Sequence, residues 1–239
     1  MKENVLEIQK KLGETPLEAM KGFVFDNPKY DGVPMTYAGR LDPMAEGKLL
    51  ILFGDECKNK DKYLGMDKEY EFEILFGFKT DSYDLLGISE EISADKGLIK
   101  KDLEKELILL VGKRKQKYPP FSSKTIKGVP LFKKTRDGDV FDLPEREIEI
   151  YSVNFLGFRE INQSNLLKEI KRRISFVRGD FRQEIIIKKW EENLSKKKEE
   201  DYLIAKVKIK CSSGTYVRSL VNELSFHATT FSINRTKIY

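Results

Sequence analysis

Apolar and polar positions alternate most cleanly from Lys68 to Phe78. Tyr70, Phe72, Ile74, Phe76 and Phe78 share one face, and Glu69, Glu71 and Glu73 the other. A period of two predicts a half-buried strand. Leu203, Ala205, Val207, Ile209 and Cys211 repeat the pattern, with Lys206, Lys208 and Lys210 opposite them. Arg146 to Phe155 is strand-like too, with Ile148, Ile150 and Val153 as candidate core residues. Leu49 to Phe53 is an unbroken apolar run bounded by turn residues, which reads as a buried strand.

Helical signals lie between these strands. Thr15 is placed as an N-cap, Pro16 takes the first helical position and Glu18 completes a capping box. Leu17, Met20 and Val24 are then expected to face the core. Asp102 to Val111 predicts a second helix, with Leu103, Leu107, Leu110 and Val111 inward. Val217, Leu220, Val221 and Leu224 predict a third, entered through a Ser/Gly turn at 212–216. Tyr118-Pro119-Pro120-Phe121 is held extended by its prolines. From about 160 to 201 the character changes. Residues 162–173 and 183–198 are dense in Lys, Arg and Glu around Trp190, and read as an inserted, largely helical, solvent-facing excursion. Alternating strands between helices give an α+β class, taken as one domain over 1–239.

Composition narrows the chemistry. The 239 residues suffice for a sizeable core, and 35% charged residues mark a soluble chain. No apolar run reaches the length of a membrane span, and the N-terminus lacks a signal-peptide core, so no membrane partner is expected. Two cysteines make no disulfide framework, which points to the cytoplasm. A single histidine removes most zinc sites, Ser-His-Asp triads and histidine acid–base schemes. Any catalysis falls to carboxylate, Tyr, Lys or Arg. The net charge of +5 leaves room for basic patches that meet nucleic acid.

One stretch concentrates these features. Gly39-Arg40-Leu41-Asp42-Pro43 turns into Gly47 and the apolar run that follows. Pro43 restrains the backbone beside Asp42, so that carboxylate stands on a stiff turn at the edge of a core. Alone, the pattern is better read as an ordinary Asx-type turn before a strand.

Three separated blocks carry a resemblance. Ala38-Gly39-Arg40-Leu41-Asp42-Pro43-Met44-Ala45-Glu46-Gly47 resembles the catalytic motif of the TruB family of tRNA pseudouridine synthases. Pro119-Pro120-Phe121-Ser122-Ser123-Lys124 resembles that family's Pro-Pro-x-Tyr-Ser-Ala-x-Lys block. Cys211-Ser212-Ser213-Gly214-Thr215-Tyr216-Val217-Arg218 is similar to its Cys-Ser-x-Gly-Thr-Tyr-Ile-Arg signature. Lys68-Glu69-Tyr70, Thr80-Asp81 and Ile233-Asn234-Arg235-Thr236 fall in the matching order.

The resemblance implies a pseudouridine-synthase fold, a mixed and mostly antiparallel sheet flanked by helices with an RNA-binding cleft. It implies isomerisation of the T-loop uridine, position 55 of tRNA, with no cofactor or metal. Asp42 would be the nucleophile or base, and Arg218 would pair with it and orient it. Tyr70 would stack on the uracil, with Tyr216 and Ile233 as pocket walls and Tyr37 as an aromatic beside the everted base. Lys10, Lys11, Lys124, Lys127 and the lysine face at 206, 208 and 210 would meet the RNA backbone. The partner is the tRNA T-arm, with a monomer and no protein partner expected.

Two positions depart from the family pattern. Arg40 gives a Gly-Arg-Leu-Asp string more typical of enzymes acting on ribosomal RNA, and Tyr37 stands where a histidine is common. A C-terminal RNA-binding (PUA) domain is not expected. A ribosomal-RNA synthase and a non-catalytic tRNA-binding or folding protein stay open beside the main reading.

Overall fold

The computed structural model describes residues 4–93, 95–195 and 200–239. The chain enters along β1 (Val5–Lys10), turns at Gly13 and forms α1 (Pro16–Asp26). The capping box forms as expected: Thr15 Oγ1 accepts from Glu18 N at 3.2 Å, and Thr15 N donates to Glu18 Oε2 at 2.7 Å. Pro16, Ala19 and Met20 carry the buried face, while Leu17 is exposed, against expectation. Short β2 (Met35–Ala38) leads through the Asp42 turn into β3 (Ala45–Phe53), whose last five residues are all buried. After α2 (Lys60–Leu64) come β4 (Lys68–Phe76), β5 (Phe78–Thr80) and β6 (Ser89–Glu91).

Next is α3 (Lys96–Ile108), which starts earlier than the apolar spacing predicts because Asp95 accepts from the amides of Gly97 and Leu98. It ends before Val111, which is exposed rather than inward. β7 (Gly112–Lys117) runs into the extended prolines. A small hairpin of β8 (Thr125–Ile126) and β9 (Val129–Pro130) follows, then α4 (Leu131–Arg136). The long β10 (Glu145–Asn162) precedes α5 (Gln163–Ser175) and α6 (Gln183–Ser195). β11 (Asp201–Cys211), α7 (Val217–Asn222) and β12 (Ala228–Ile238) complete the chain. Among the described residues no helix is long and apolar enough to cross a membrane.

Eight strands make one sheet in the order β1-β3-β12-β4-β11-β10-β7, with β2 also on β3. Every pairing is antiparallel except β12 with β3. That parallel contact brings the β12 backbone so close to Gly47 that a Cβ there would meet the Arg235 carbonyl oxygen at 2.4 Å. Gly47 is therefore a steric requirement of the sheet as well as a turn residue.

The alternating strands separate two cores. Tyr70, Phe72, Ile74 and Phe76 join Leu203, Ala205, Val207 and Ile209 beneath α3 and α7. On the opposite face Leu75 and Ile204 are covered by Leu166, Ile170 and Ile174 of α5 and Ile186, Trp190 and Leu194 of α6. This corrects the expected solvent-facing excursion. Trp190 is 0% exposed and its indole N–H donates to the Leu85 carbonyl at 3.2 Å. Truncating a buried side chain of this size costs about 3–5 kcal/mol, so the helical pair is part of the fold. Residues 196–199 of the expected segment lie outside the described residues.

The lysines of β11 need correction too. Lys206 pairs with Glu71 at 3.0 Å and Lys208 with Glu69 at 3.2 Å across the β4–β11 ladder, and Lys210 lies over the Tyr239 ring. Opposite-charge pairs across a sheet are mutually stabilising. The face is therefore neutralised within the sheet and is not an unpaired basic surface.

Candidate active site

Asp42 sits between β2 and β3 in a turn closed by Ala45 N donating to the Asp42 carbonyl at 3.0 Å. Gly13 N bonds the Pro43 carbonyl at 2.8 Å and ties this turn to the β1–α1 connection. Arg235 of β12 fixes it from below, donating from Nε to the Lys48 carbonyl at 2.6 Å and from NH2 to the Gly39 carbonyl at 2.9 Å. Lys10 contributes in the same way, with Nζ 2.5 Å from the Ala45 carbonyl and 3.1 Å from the Lys11 carbonyl. Lys10 is 0% exposed, and burial lowers its pKa to about 8. It belongs to the turn's scaffold, so the expected RNA contact at Lys10 is corrected. Lys11, Lys124 and Lys127 are exposed.

Arg218, in the first turn of α7, is 2% exposed and reaches Asp42 with two nitrogens. Nε lies 2.9 Å and NH2 2.8 Å from Asp42 Oδ2. NH1 donates to the Ser82 carbonyl at 2.6 Å, and NH2 also to the Phe121 carbonyl at 3.2 Å. A second carboxylate, Asp84 Oδ2, stands 3.5 Å from Nε. Asp84 is buried, and its other oxygen accepts from Ser82 Oγ at 2.7 Å and Leu86 N at 3.0 Å. Burial pushes the Asp84 carboxyl upward, with Arg218 pulling the other way. A guanidinium with its donors engaged in this way has one orientation, and Asp42 inherits it.

A cavity of about 400 Å³ opens on one side of Asp42. Tyr70, Tyr216 and Ile233 wall it, together with Lys68, Arg146 and Arg235. Tyr216 is held by its backbone: its N–H donates to Gln116 Oε1 at 2.8 Å, and its carbonyl accepts from Gln116 Nε2 at 3.0 Å. Its phenol packs edge-on to Tyr118, and burial followed by Asp42 pushes its pKa up to about 12. Arg146 lies across Gly214, where an added Cβ would fall 1.7 Å from its NH1. Lys68 donates to the Leu64 carbonyl at 3.0 Å and to that of Met66, and burial then Arg235 lower its pKa to about 8.

A second cavity, about 480 Å³ and largely apolar, lies on the other side of Asp42 and shares Arg40, Leu41, Asp42, Ser123 and Arg218 with the first. Tyr37 lines this one and not the first, and its hydroxyl accepts from Arg40 NH2 at 3.0 Å. Its far wall is Asp180, Phe181 and Arg182, from the connection between α5 and α6.

The sequence reading missed Asp84, Gln116, Arg146 and Arg235. The blocks Thr80-Asp81 and Ile233-Asn234-Arg235-Thr236 pointed to two of these neighbourhoods. No local pattern marked Gln116 or Arg146.

The sheet order and the cleft beside it define the pseudouridine-synthase fold. A chain of the solved Cbf5-Nop10-Gar1 complex superposes with a TM-score of 0.53 at 13% identity, covering 98% of this chain and 48% of that chain. The box H/ACA sRNP Nop10-Cbf5 complex gives 0.51 at 13% identity. Within that fold the chain belongs to the TruB family: residues 33–179 match the TruB family pseudouridylate synthase (N terminal domain). A relative from Borrelia garinii subsp. bavariensis, tRNA pseudouridine synthase B, is 28% identical over 243 residues, covering 100% of this chain and 70% of its own length. Another of that name from Xanthomonas oryzae pv. oryzae is 35% identical over 122 residues, covering 51% of this chain and 40% of the relative.

Proposed function

We propose that the protein is a tRNA pseudouridine synthase that isomerises the T-loop uridine, position 55 of tRNA, with Asp42 as the nucleophile or base. The reaction breaks the bond from C1′ to N1, turns the uracil and joins C1′ to C5, with the C5 proton lost to solvent and N1 taking a proton up. Such a reaction asks for a positioned carboxylate, a walled pocket for the detached base and exclusion of water. No cofactor or metal takes part in this scheme.

The observation that carries the reading is the double hold of Arg218 on Asp42 at the mouth of a tyrosine-walled cavity. Tyr70 and Tyr216 offer faces for the base, and Ile233 closes the floor. Lys11, Lys124 and Lys127 meet the RNA backbone, which makes binding salt-dependent. The target base leaves its stack at a cost of roughly a few kcal/mol, least in a strained loop.

Tritium release from tRNA carrying 5-tritiated uridine tests the reaction, and mapping the product places it. Wild type releases tritium from position 55, and Asp42→Asn releases none while still binding tRNA. Turnover in Asp42→Asn removes Asp42 from the mechanism. Product in ribosomal RNA alone replaces the substrate.

A further inference from the structure

Arg218 takes its aim from two carbonyls on separate segments. Ser82 belongs to the turn after β5, and Phe121 to the bend that follows β7. A second arginine grips the same two segments. Arg182, between α5 and α6, donates from NH1 to Asp81 Oδ2 at 2.9 Å and from NH2 to Asp81 Oδ1 at 3.3 Å. Its guanidinium carbon lies 4.3 Å from the centre of the Phe121 ring. Asp81 in turn accepts from Ile88 N at 2.8 Å, so the grip passes into the turn's own backbone.

The support behind Arg182 is stiff. Gln183 accepts from Phe181 N at 2.8 Å and donates to the carbonyls of Val177 at 3.1 Å and Gly179 at 2.7 Å. Ile186 N donates to the Arg182 carbonyl at 3.0 Å, joining it to the helix that buries Trp190. Arg182 itself has φ +64, a left-handed conformation that a residue with a long side chain seldom adopts. Such conformations persist where the surroundings over-determine them, often at functional sites. The charge of Arg182 is met by Asp81 and one face is covered by Phe121, which leaves it poorly suited to take up a phosphate.

We propose that Arg182 is a positioning residue: by clamping the Asp81 turn to Phe121 it fixes the two carbonyls that aim Arg218 at Asp42. The proposal rests on the reading of Asp42 and Arg218 given above. A bidentate, stacked site of this kind is filled completely only by arginine, since lysine supplies the charge but neither the second donor in plane nor the stacking face.

The test uses Arg182→Gln, Asp81→Asn, the double variant and Arg182→Lys in the full chain. Each single variant is expected to lower kcat for tritium release about tenfold, with the double variant no worse than either, because the two residues share one interaction. KM, tRNA affinity and its salt dependence stay at wild-type values, and Arg182→Lys recovers part of the rate. Asp81→Asn carries the test if Arg182→Gln does not fold. An activity-free arm follows the Arg218 Nε–H by nitrogen-15 NMR, assigned through its loss in Arg218→Lys. Solvent exchange of that proton rises about tenfold in Arg182→Gln as local opening becomes easier. Unchanged kcat, a loss confined to KM with a weaker salt dependence, or unchanged Nε–H exchange each overturns the proposal. If wild type has no activity on RNA, the synthase reading falls, and the NMR arm alone decides the role of Arg182.

Discussion

Two arrays of opposite charge cross this molecule, and they behave as opposites. On the outer face of β4 and β11, Glu69 and Glu71 alternate with Lys206 and Lys208 in an open ladder. At the site, Arg218 stands between Asp42 and Asp84 almost out of contact with water. Most of the ladder reaches water: the side chains of Lys206, Lys208 and Glu71 are 51%, 31% and 28% exposed, while that of Glu69 is 10% exposed. Pairs with such partly hydrated lysines contribute little. The site has given up that hydration, so its geometry must be nearly complete to be tolerated at all. The ladder can therefore lose one of its exposed lysines at little cost, whereas the site cannot lose its arginine. Charge counts in a sequence do not distinguish the two.

Breaking the buried array has the largest expected effect. Arg218→Gln leaves Asp84 buried without its cation and strips donors from the Ser82 and Phe121 carbonyls. Removing one partner of a buried pair costs about 3–5 kcal/mol, so urea unfolding at pH 7 should show a loss of that order. Tritium release should vanish with it. Burial already pushes the Asp84 carboxyl upward, and removing Arg218 pushes it further. A carboxyl whose folded pKa exceeds its unfolded value favours the fold below the unfolded pKa and loses that contribution as pH rises. The deficit of the variant should therefore shrink as pH is lowered. A deficit independent of pH would mean that Asp84 is not left charged and unpaired.

The same contrast marks what could be read in the sequence. β3, β4 and β11 followed from period two and from an apolar run, because their partners only had to be apolar. The Thr15 capping box followed because all its atoms lie within four residues. The buried polar groups did not, since Gln116 answers Tyr216 a hundred residues away. Lys10 is expected from the sequence to meet the RNA backbone, and only the fold shows its amine spent on the Ala45 carbonyl. The helical pair at 163–195 was legible and was misread. Leu166, Ile170 and Ile174 recur every four residues, as do Ile186, Trp190 and Leu194, and the density of charge on the other faces hid both stripes. Arg182 thus fell within a region assigned to solvent, although it stands at the wall of the second cavity.

An intermediate effect sharpens the comparison through Lys68, a cation that lines the first cavity yet pairs with carbonyl oxygens rather than a carboxylate. Its pKa falls from 10.5 to about 8, with burial the main cause. Between those values the unfolded chain binds the extra proton and the folded chain does not, so stability rises with pH across the window. Lys68→Met removes that rise. Urea midpoints measured from pH 8 to 10.5 should show wild type gaining on the variant throughout. Parallel curves would mean that the amine titrates alike in both states.

The smallest effect should come from the ladder. Lys208→Ala removes contacts to Glu69 and Glu71, but Glu69 keeps a hydrogen bond from Thr236 at 2.7 Å, and Lys206 still faces Glu71. Neither glutamate is stranded, because Thr236 and Tyr239 still donate to the buried Glu69, and water reaches the more exposed Glu71. The urea midpoint should move little at low salt. Any shift should disappear by about 1 M salt, where the screening length is about 3 Å. Tritium release should match wild type, since the ladder stands outside both cavities. A loss of tRNA affinity in Lys208→Ala that weakens with added salt would restore this face to the RNA surface, and the ladder would then be poised for a ligand rather than neutralised within the sheet.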